Sequence, residues 1–384
     1  MKNRVLTVLL ALCIAFAAFA GGGSEAKTRL IYMTAGDTNM LALGQNVLGP
    51  GFQALHPNVT VATIHTGPGN AGSQRILEKL IAESEAKKEA WDVDVAMVHE
   101  IFMKWAMEKD LLLPYAKDAE TWKYVTTPFA KSALGTKIEG YGIPMFLSQT
   151  ALAYNPDQVR NPPKNFTELK EWVKQNPGKF GYNGIKGGMS GVSFTVGWVY
   201  SETGKYQKYA VTGPFEKAEV DSWEAPFKAL KEFNKNVTIT AGNVGTLDAL
   251  NRGEIWMGPV WVDMFFTFMN EGKLPPATRL LLPEPGMPGQ PMFFVIPKKA
   301  TNPEMAKKFI EYVTSPAVQA KDIVQRFNWY PGIDGTHIKS SVPPEVFDKI
   351  YKDVTPADLQ KKGQSFPIAQ YFDAMLESYE KWIQ

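Results

Sequence analysis

Between Thr28 and Val98 the chain switches repeatedly between two periodicities, and this alternation restricts its fold more than any other feature. "TRLIYMTAG" from Thr28 is a short β-rich run ending at a glycine turn, and "NMLALGQNVLGPGFQALHPN" has helical spacing and stops at His56-Pro57-Asn58. "VTVATI" is a second strand, "SQRILEKLIAES" a second helix running to about Lys88, and "DVDVAMV" a third strand. Strand, helix, strand, helix, strand in this order predicts an α/β protein built on a parallel sheet with right-handed crossovers.

The turn after the second strand is "GPGNAG", in which Gly67, Gly69 and Gly72 have the G-x-G-x-x-G spacing of dinucleotide sites. A cofactor would need an acid at the end of the following strand to hold the ribose. Asp92 and Asp94 precede or begin that strand, and Glu100, at its end, lies too far along. Two other readings stand beside the cofactor: a plain tight turn, or a helix N-terminus whose free N–H groups at Gly69, Asn70 and Ala71 face a ligand. No nucleotide or other cofactor is expected.

The N-terminus points to export. Lys2 and Arg4 precede "VLTVLLALCIAFAAFA", which is shorter than the ~20 residues a bilayer requires, and Ala18 and Ala20 form an A-x-A-type cleavage site. Residues 1–20 are read as a signal peptide, which places the protein in the periplasm or outside the cell. The only cysteine, Cys13, lies within the apolar run after Leu12, which argues against a lipid anchor. The exported chain then has no disulfide, no Cys-ligated zinc and no cysteine nucleophile.

Removing 20 of 384 residues leaves more chain than one core of ~250–300 residues usually serves, so two lobes are expected. Net charge is +2 with no basic stripe, and no nucleic-acid partner is expected. His56, His65, His99 and His337 form no H-x-x-H or H-E-x-x-H pattern, so no metal site is expected either. "GGMSGV" around Ser190 lacks the last glycine of a nucleophile elbow.

Farther along, "EIFMKWAMEKDLLLPY" reads as a helix ending at Pro114, and "GYGIPMFLSQTALAYNPDQV" as two short β runs. Thr167 occupies a helix N-cap position ahead of "ELKEWVKQ", and "FTVGWVYSETG" suits a helix despite its β-branched residues. "GTLDALNRGEIWMGPVWVDMFF" reads as helix, turn and strand, and "ATRLLLPEPGMPGQPMFFVIPKKA" as two strands around a bend. Asn302-Pro303-Glu304 opens a helix as cap, proline and acid. Ile368, Tyr371, Met375, Tyr379 and Trp382 line one face of the last helix.

Several of these segments, in this order, resemble bacterial extracellular solute-binding proteins of ABC transporters. They are "GFQALHPNVTVAT", "YGIPMFLSQTALAYNPDQVRNPPKNFTELKEW", "NRGEIWMGPVWVDM", "PEMAKKFIEYVTSPAVQAK" and "FNWYPGID". "ALAYNPDQVRNPPKNF" and "MGPVW" are most similar to the maltose-binding (carbohydrate) branch of family 1. "NPGKFGYN" is similar to a branch suspected of carrying other small molecules. The resemblance implies the type II periplasmic binding fold: two α/β lobes, each with a mainly parallel sheet flanked by helices, and a ligand cleft between them. Lobe 1 would comprise residues 25–143 plus 290–325, and lobe 2 residues 146–285 plus 330–384. Chain crossings would lie near Ile143-Pro144, Leu282-Pro285 and Phe327-Tyr330.

Ten Trp, fourteen Tyr and twenty-two Phe exceed ordinary core needs, and flat rings also stack on sugar C–H faces. Trp198, Trp261, Trp329 and Tyr330 are the expected platforms, with packing in a core as the alternative for each. Asp37, Thr38, Asn39, Ser148, Gln149 and Asp263 would supply polar partners, and Met145, Phe146, Phe194 and Thr195 adjoin them. His99-Glu100 follows the third strand, either facing the cleft or as a solvated loop pair. The expected function is a monomeric, non-enzymatic receptor that delivers a small ligand to a membrane ABC permease. A sugar, oligosaccharide or polyol leads as cargo, with polyamine, thiamine-like or ferric cargo next. Three acids, Asp37, Glu100 and Asp263, could hold a cation if they converge. An exported carbohydrate hydrolase is the alternative of another class.

Overall fold

The computed structural model describes residues 27–383 apart from 37, 68 and 127. The signal-peptide region and Asp37 therefore lie outside the described residues, as do the side chains of Thr38, Asn39 and Asn70. The opening alternation folds as its periodicity predicts. Thr28–Thr34 pairs in parallel with Val59–His65 on one side and with Val95–His99 on the other. Helical turns over Thr38–Leu55, with a π-helical stretch at Gly44–Leu48, make the first crossover, and the helix Gly69–Glu85 makes the second.

The sheet continues through Met287–Val295, antiparallel to Val95–His99, into Gly142–Tyr154. The latter is one strand of 13 residues rather than two short runs. It stays continuous past Pro144 because the pairing shifts there: Met292 faces Phe146 while Phe293 faces Pro144, leaving Met145 as an extra residue. Such a bulge is where a sheet tolerates a residue with no N–H to donate. Beyond residue 149 the same strand changes partners, pairing with Met257–Trp261 and Arg279–Leu281.

This strand joins two separate hydrophobic cores. Ile143, Met145 and Phe146 pack into one core with Met292–Ile296 and the first three strands. Ala151, Leu152 and Ala153 pack into the other, with the helix Met189–Thr203 and the C-terminal helix Ala369–Ile383. Between Val318 and Tyr330 the chain passes from one core to the other: Val318, Ile323 and Trp329 belong to the first, and Ala320, Val324 and Tyr330 to the second.

Local expectations fail at three element ends. The helix opening at Glu100 stops at Glu108, because Asp110 turns to φ 54° and Leu112 bridges to Pro297, well before Pro114. Asn165, not Thr167, caps the helix Phe166–Gln175, its side-chain oxygen accepting the Glu168 N–H at 2.8 Å. "VDMFF" leaves the strand at Trp261 and forms the helix Val262–Asn270. Met189–Thr203 is helical despite its valines and threonines, since it is buried on nearly every side and tertiary packing outweighs propensity.

Candidate functional site

At the C-terminal ends of the first three strands the backbone is knitted tightly. Gly36 N donates to Gly67 O at 3.0 Å, and Thr66 Oγ1 donates to Gly72 O at 2.9 Å. Gly67 has φ 106°, and a Cβ on Gly72 would lie 2.0 Å from Gly67 O. The glycine spacing thus serves a close turn entering a 17-residue helix, with Gly69, Asn70 and exposed Ala71 as its first residues. The acids a dinucleotide would need are engaged elsewhere. Asp92 pairs with Lys79 and Lys88, each at 3.1 Å. Asp94 accepts the Ile31 and Asn302 N–H groups at 2.8 and 2.7 Å. The Asn302 side chain also turns to Asp94 instead of capping its helix.

His99 and Glu100 do not form a solvated loop pair. His99 N donates to Ser73 Oγ at 2.9 Å, and its Nδ1 lies 3.1 Å from the same hydroxyl. Burial lowers the imidazole pKa to about 4, so the ring is neutral at ordinary pH. Glu100 opens the next helix and is 1% exposed, and neither carboxylate oxygen has a hydrogen-bond partner. Burial raises its pKa well above the usual carboxylate range. Tyr200 of the other core lies within its electrostatic reach, so Glu100 sits where the two cores approach each other.

A second polar cluster forms where the long strand changes partners. Ser148 Oγ donates to Asp263 Oδ1 at 2.7 Å, and the Trp329 side chain hydrogen-bonds the same carboxylate. Burial still raises the Asp263 pKa, outweighing these bonds and those from its own helix N-terminus. Gln149 is fully buried; its amide donates to Met287 O at 2.8 Å and Thr150 O at 2.9 Å, while Oε1 has no partner.

The aromatic platforms are mostly taken up by packing. Trp329 is sandwiched between Phe146 and Phe327, with ring centroids 4.3 and 4.8 Å away and planes within 16°. Trp198 is 0% exposed among Phe166, Phe194 and Phe233, and its indole N–H donates to Pro226 O at 2.9 Å. It is a core residue with no face to offer a ligand. Phe194 belongs to the same ring cluster, and Thr195 Oγ1 bonds back to Gly191 O within the helix. Met145 likewise lies inside the first core. Trp261 keeps 7% exposure at its strand end, directly before Asp263's helix.

One cavity of about 670 Å³ adjoins the crossing strands. Of the expected residues only Tyr330 lines it, stacked on Tyr351 with centroids 5.3 Å apart. Pro144, Leu147, Pro291 and Ser365 also form its wall. Local sequence carried no signal for these, because segments more than two hundred residues apart build the wall together. Among the described residues no His, Cys, Asp and Glu cluster could hold a metal ion, and no helix is long and apolar enough to cross a membrane.

Among solved structures, a putative extracellular solute-binding protein from Bordetella parapertussis is similar over 94% of this chain and 100% of its own, with TM-score 0.68 and 16% identity. The spermidine/putrescine ABC transporter substrate-binding protein PotD of Streptococcus pneumoniae, solved with calcium and HEPES, covers 93% and 100%, with TM-score 0.67 and 14% identity. An ABC transporter solute-binding protein from Thermotoga lettingae, bound to α-D-tagatose, covers 93% and 94%, with TM-score 0.66 and 19% identity. At these identities the likeness establishes the two-lobed α/β periplasmic binding fold. No curated protein sequence matches the chain. The profile of bacterial extracellular solute-binding proteins matches residues 52–335, most of the chain, and with the fold and the strand-end arrangement above it makes this protein a member of that family.

Proposed function

We propose that the protein is the extracytoplasmic receptor of an ABC importer, and that it carries a small cationic solute between two lobes, each built on one of the hydrophobic cores. Glu100 supports this choice of cargo. A carboxyl buried between the cores with both oxygens unpartnered is costly unless a cation or donor arrives to meet it. An ammonium or amidinium group on the cargo would lower that pKa, so that the carboxyl gives up its proton to solvent as cargo enters and pairs with the cation as a carboxylate. Contacts to both lobes then favour the closed form by the cargo's differential affinity for it, and the permease would recognise that form. The PotD neighbour, named for spermidine and putrescine, agrees with an amine cargo.

A sugar or polyol is the second reading, favoured by Trp261 beside the Ser148–Asp263 pair and by the tagatose-bound neighbour. It is weaker because Trp198 and Trp329 are closed off by packing. Native mass spectrometry of the purified protein, followed by thermal shifts with putrescine, spermidine, thiamine and a sugar panel, separates the two. Stabilisation by an amine that disappears in Glu100→Gln is the expected result. Stabilisation by sugars alone would overturn the cationic cargo, and turnover of any glycoside would overturn the receptor role. Size-exclusion chromatography should show a monomer.

A further inference from the structure

We infer that Gln319 is a latch between the two lobes, which sets how far they stand open before cargo arrives. The inference rests on the two-lobed receptor reading but not on the choice of cargo. Gln319 is fully buried and opens the π-helical stretch Gln319–Gln325, where the chain passes from the first core to the second. Single π-helical turns are uncommon and recur at functional positions of helices. The Gln319 amide donates to Met145 O and to Val313 O, each at 3.0 Å, and its Oε1 accepts the Gly332 N–H at 2.8 Å. With both donors on carbonyls and the oxygen on an N–H, the amide has one orientation only.

The three partners belong to different parts of the molecule. Met145 and Val313 pack into the first core, Met145 as the extra residue of the bulge and Val313 as the last residue of the helix Pro303–Val313. Gly332 directly precedes Ile333, which packs into the second core. One side chain thus joins two carbonyls fixed in one lobe to the N–H that leads into the other. The strand beside it is a weak link: Tyr330–Pro331 pairs with Phe146–Leu147 over two residues only, and Pro331 has no N–H to give. The backbones nevertheless touch, since a Cβ on Gly332 would lie 2.0 Å from Pro144 O. Rotation of the second core about this contact carries Gly332 with Ile333, while Gln319 is held to the first core by its other two bonds. Opening therefore stretches or breaks the Gly332 bond, and a buried N–H left without an acceptor is costly. Glu100 is 1% exposed where the cores approach, so the lobes stand together here and the three bonds belong to the closed form.

The test compares cargo-free proteins by small-angle X-ray scattering. Gln319→Met keeps the length and buried volume of the side chain and loses all three bonds. It should shift the lobes roughly 3- to 10-fold towards the open form, read as a larger radius of gyration. Amide hydrogen exchange at Gly332, slow in the wild type, should speed up with it. Gln319→Glu keeps the acceptor but loses the donors; it breaks the latch from its other side and takes the place of Gln319→Met if that variant misfolds. Trp198→Phe removes a bond lying wholly within the second core and should leave the radius of gyration unchanged, which separates a latch from a general loss of stability. Spermidine, used as the probe, should bind Gln319→Met roughly 3- to 10-fold more weakly, because fewer molecules hold the competent form. If spermidine binds neither protein, the cargo reading fails alone and the scattering still decides the latch. A wild-type radius of gyration in the Gln319 variant, or an equal increase in Trp198→Phe, would overturn the proposal.

Discussion

Replacing Glu100 with glutamine should stabilise the cargo-free protein above the carboxylate titration range and remove its response to a cationic cargo. In the folded protein burial pushes the Glu100 carboxyl well above the usual carboxylate range. In the unfolded chain the same group ionises near pH 4.3. Between the unfolded and folded pKa values the folded state therefore binds more protons than the unfolded one. Stability is complete below the unfolded value and falls as pH rises towards the folded one. Each pH unit in that window costs about 1.4 kcal/mol, or roughly 2 °C in Tm for a chain of this length. Glutamine is nearly isosteric and never ionises, so this term vanishes. Differential scanning fluorimetry from pH 4 to 8 should show the wild-type and variant curves together at low pH and diverging as pH rises, with the variant higher. Adding spermidine should raise the wild-type curve where the gap is widest and leave the variant in place. Parallel curves without cargo would refute the claim that Glu100 is buried without a partner.

Trp198→Phe should cost about 1–3 kcal/mol in urea unfolding by leaving the Pro226 carbonyl without its donor, and should leave cargo affinity unchanged. Asp94→Ala strips the acceptor from the Ile31 and Asn302 N–H groups together, and should cost roughly 2–4 kcal/mol in the same assay. The His99 ring, followed by NMR, should titrate with a midpoint near pH 4, because burial lowers its pKa to about 4. The unfolded chain takes up that proton nearer pH 6.5, so His99 contributes stability that is lost as pH falls from there towards 4.

Legibility divides along physical lines. The first parallel unit was readable because hydrophobic period and turn residues are local signals, and Gly67 and Gly72 form a close turn, one of the three readings their spacing left open. Element ends were less readable. Asn165 and Thr167 both suit an N-cap, and only the bond to Glu168 N selects between them. At the candidate site, residue type misled: a tryptophan has the same letter whether it faces a cleft or, like Trp198, donates to Pro226 inside a core.

By itself, then, the sequence determined the α/β class, the need for two cores and the order of motifs that marks the family. These are properties of periodicity, length and composition, which a linear chain carries in full. Tertiary structure alone decided that Gly142–Tyr154 is a single strand shared by both cores, that Phe146, Phe327 and Trp329 consume one another's faces, and that Glu100 is sealed without a partner. Each of these depends on which distant segments close around a side chain. Burial and hydrogen-bond satisfaction are settled by those neighbours, not by the residue itself.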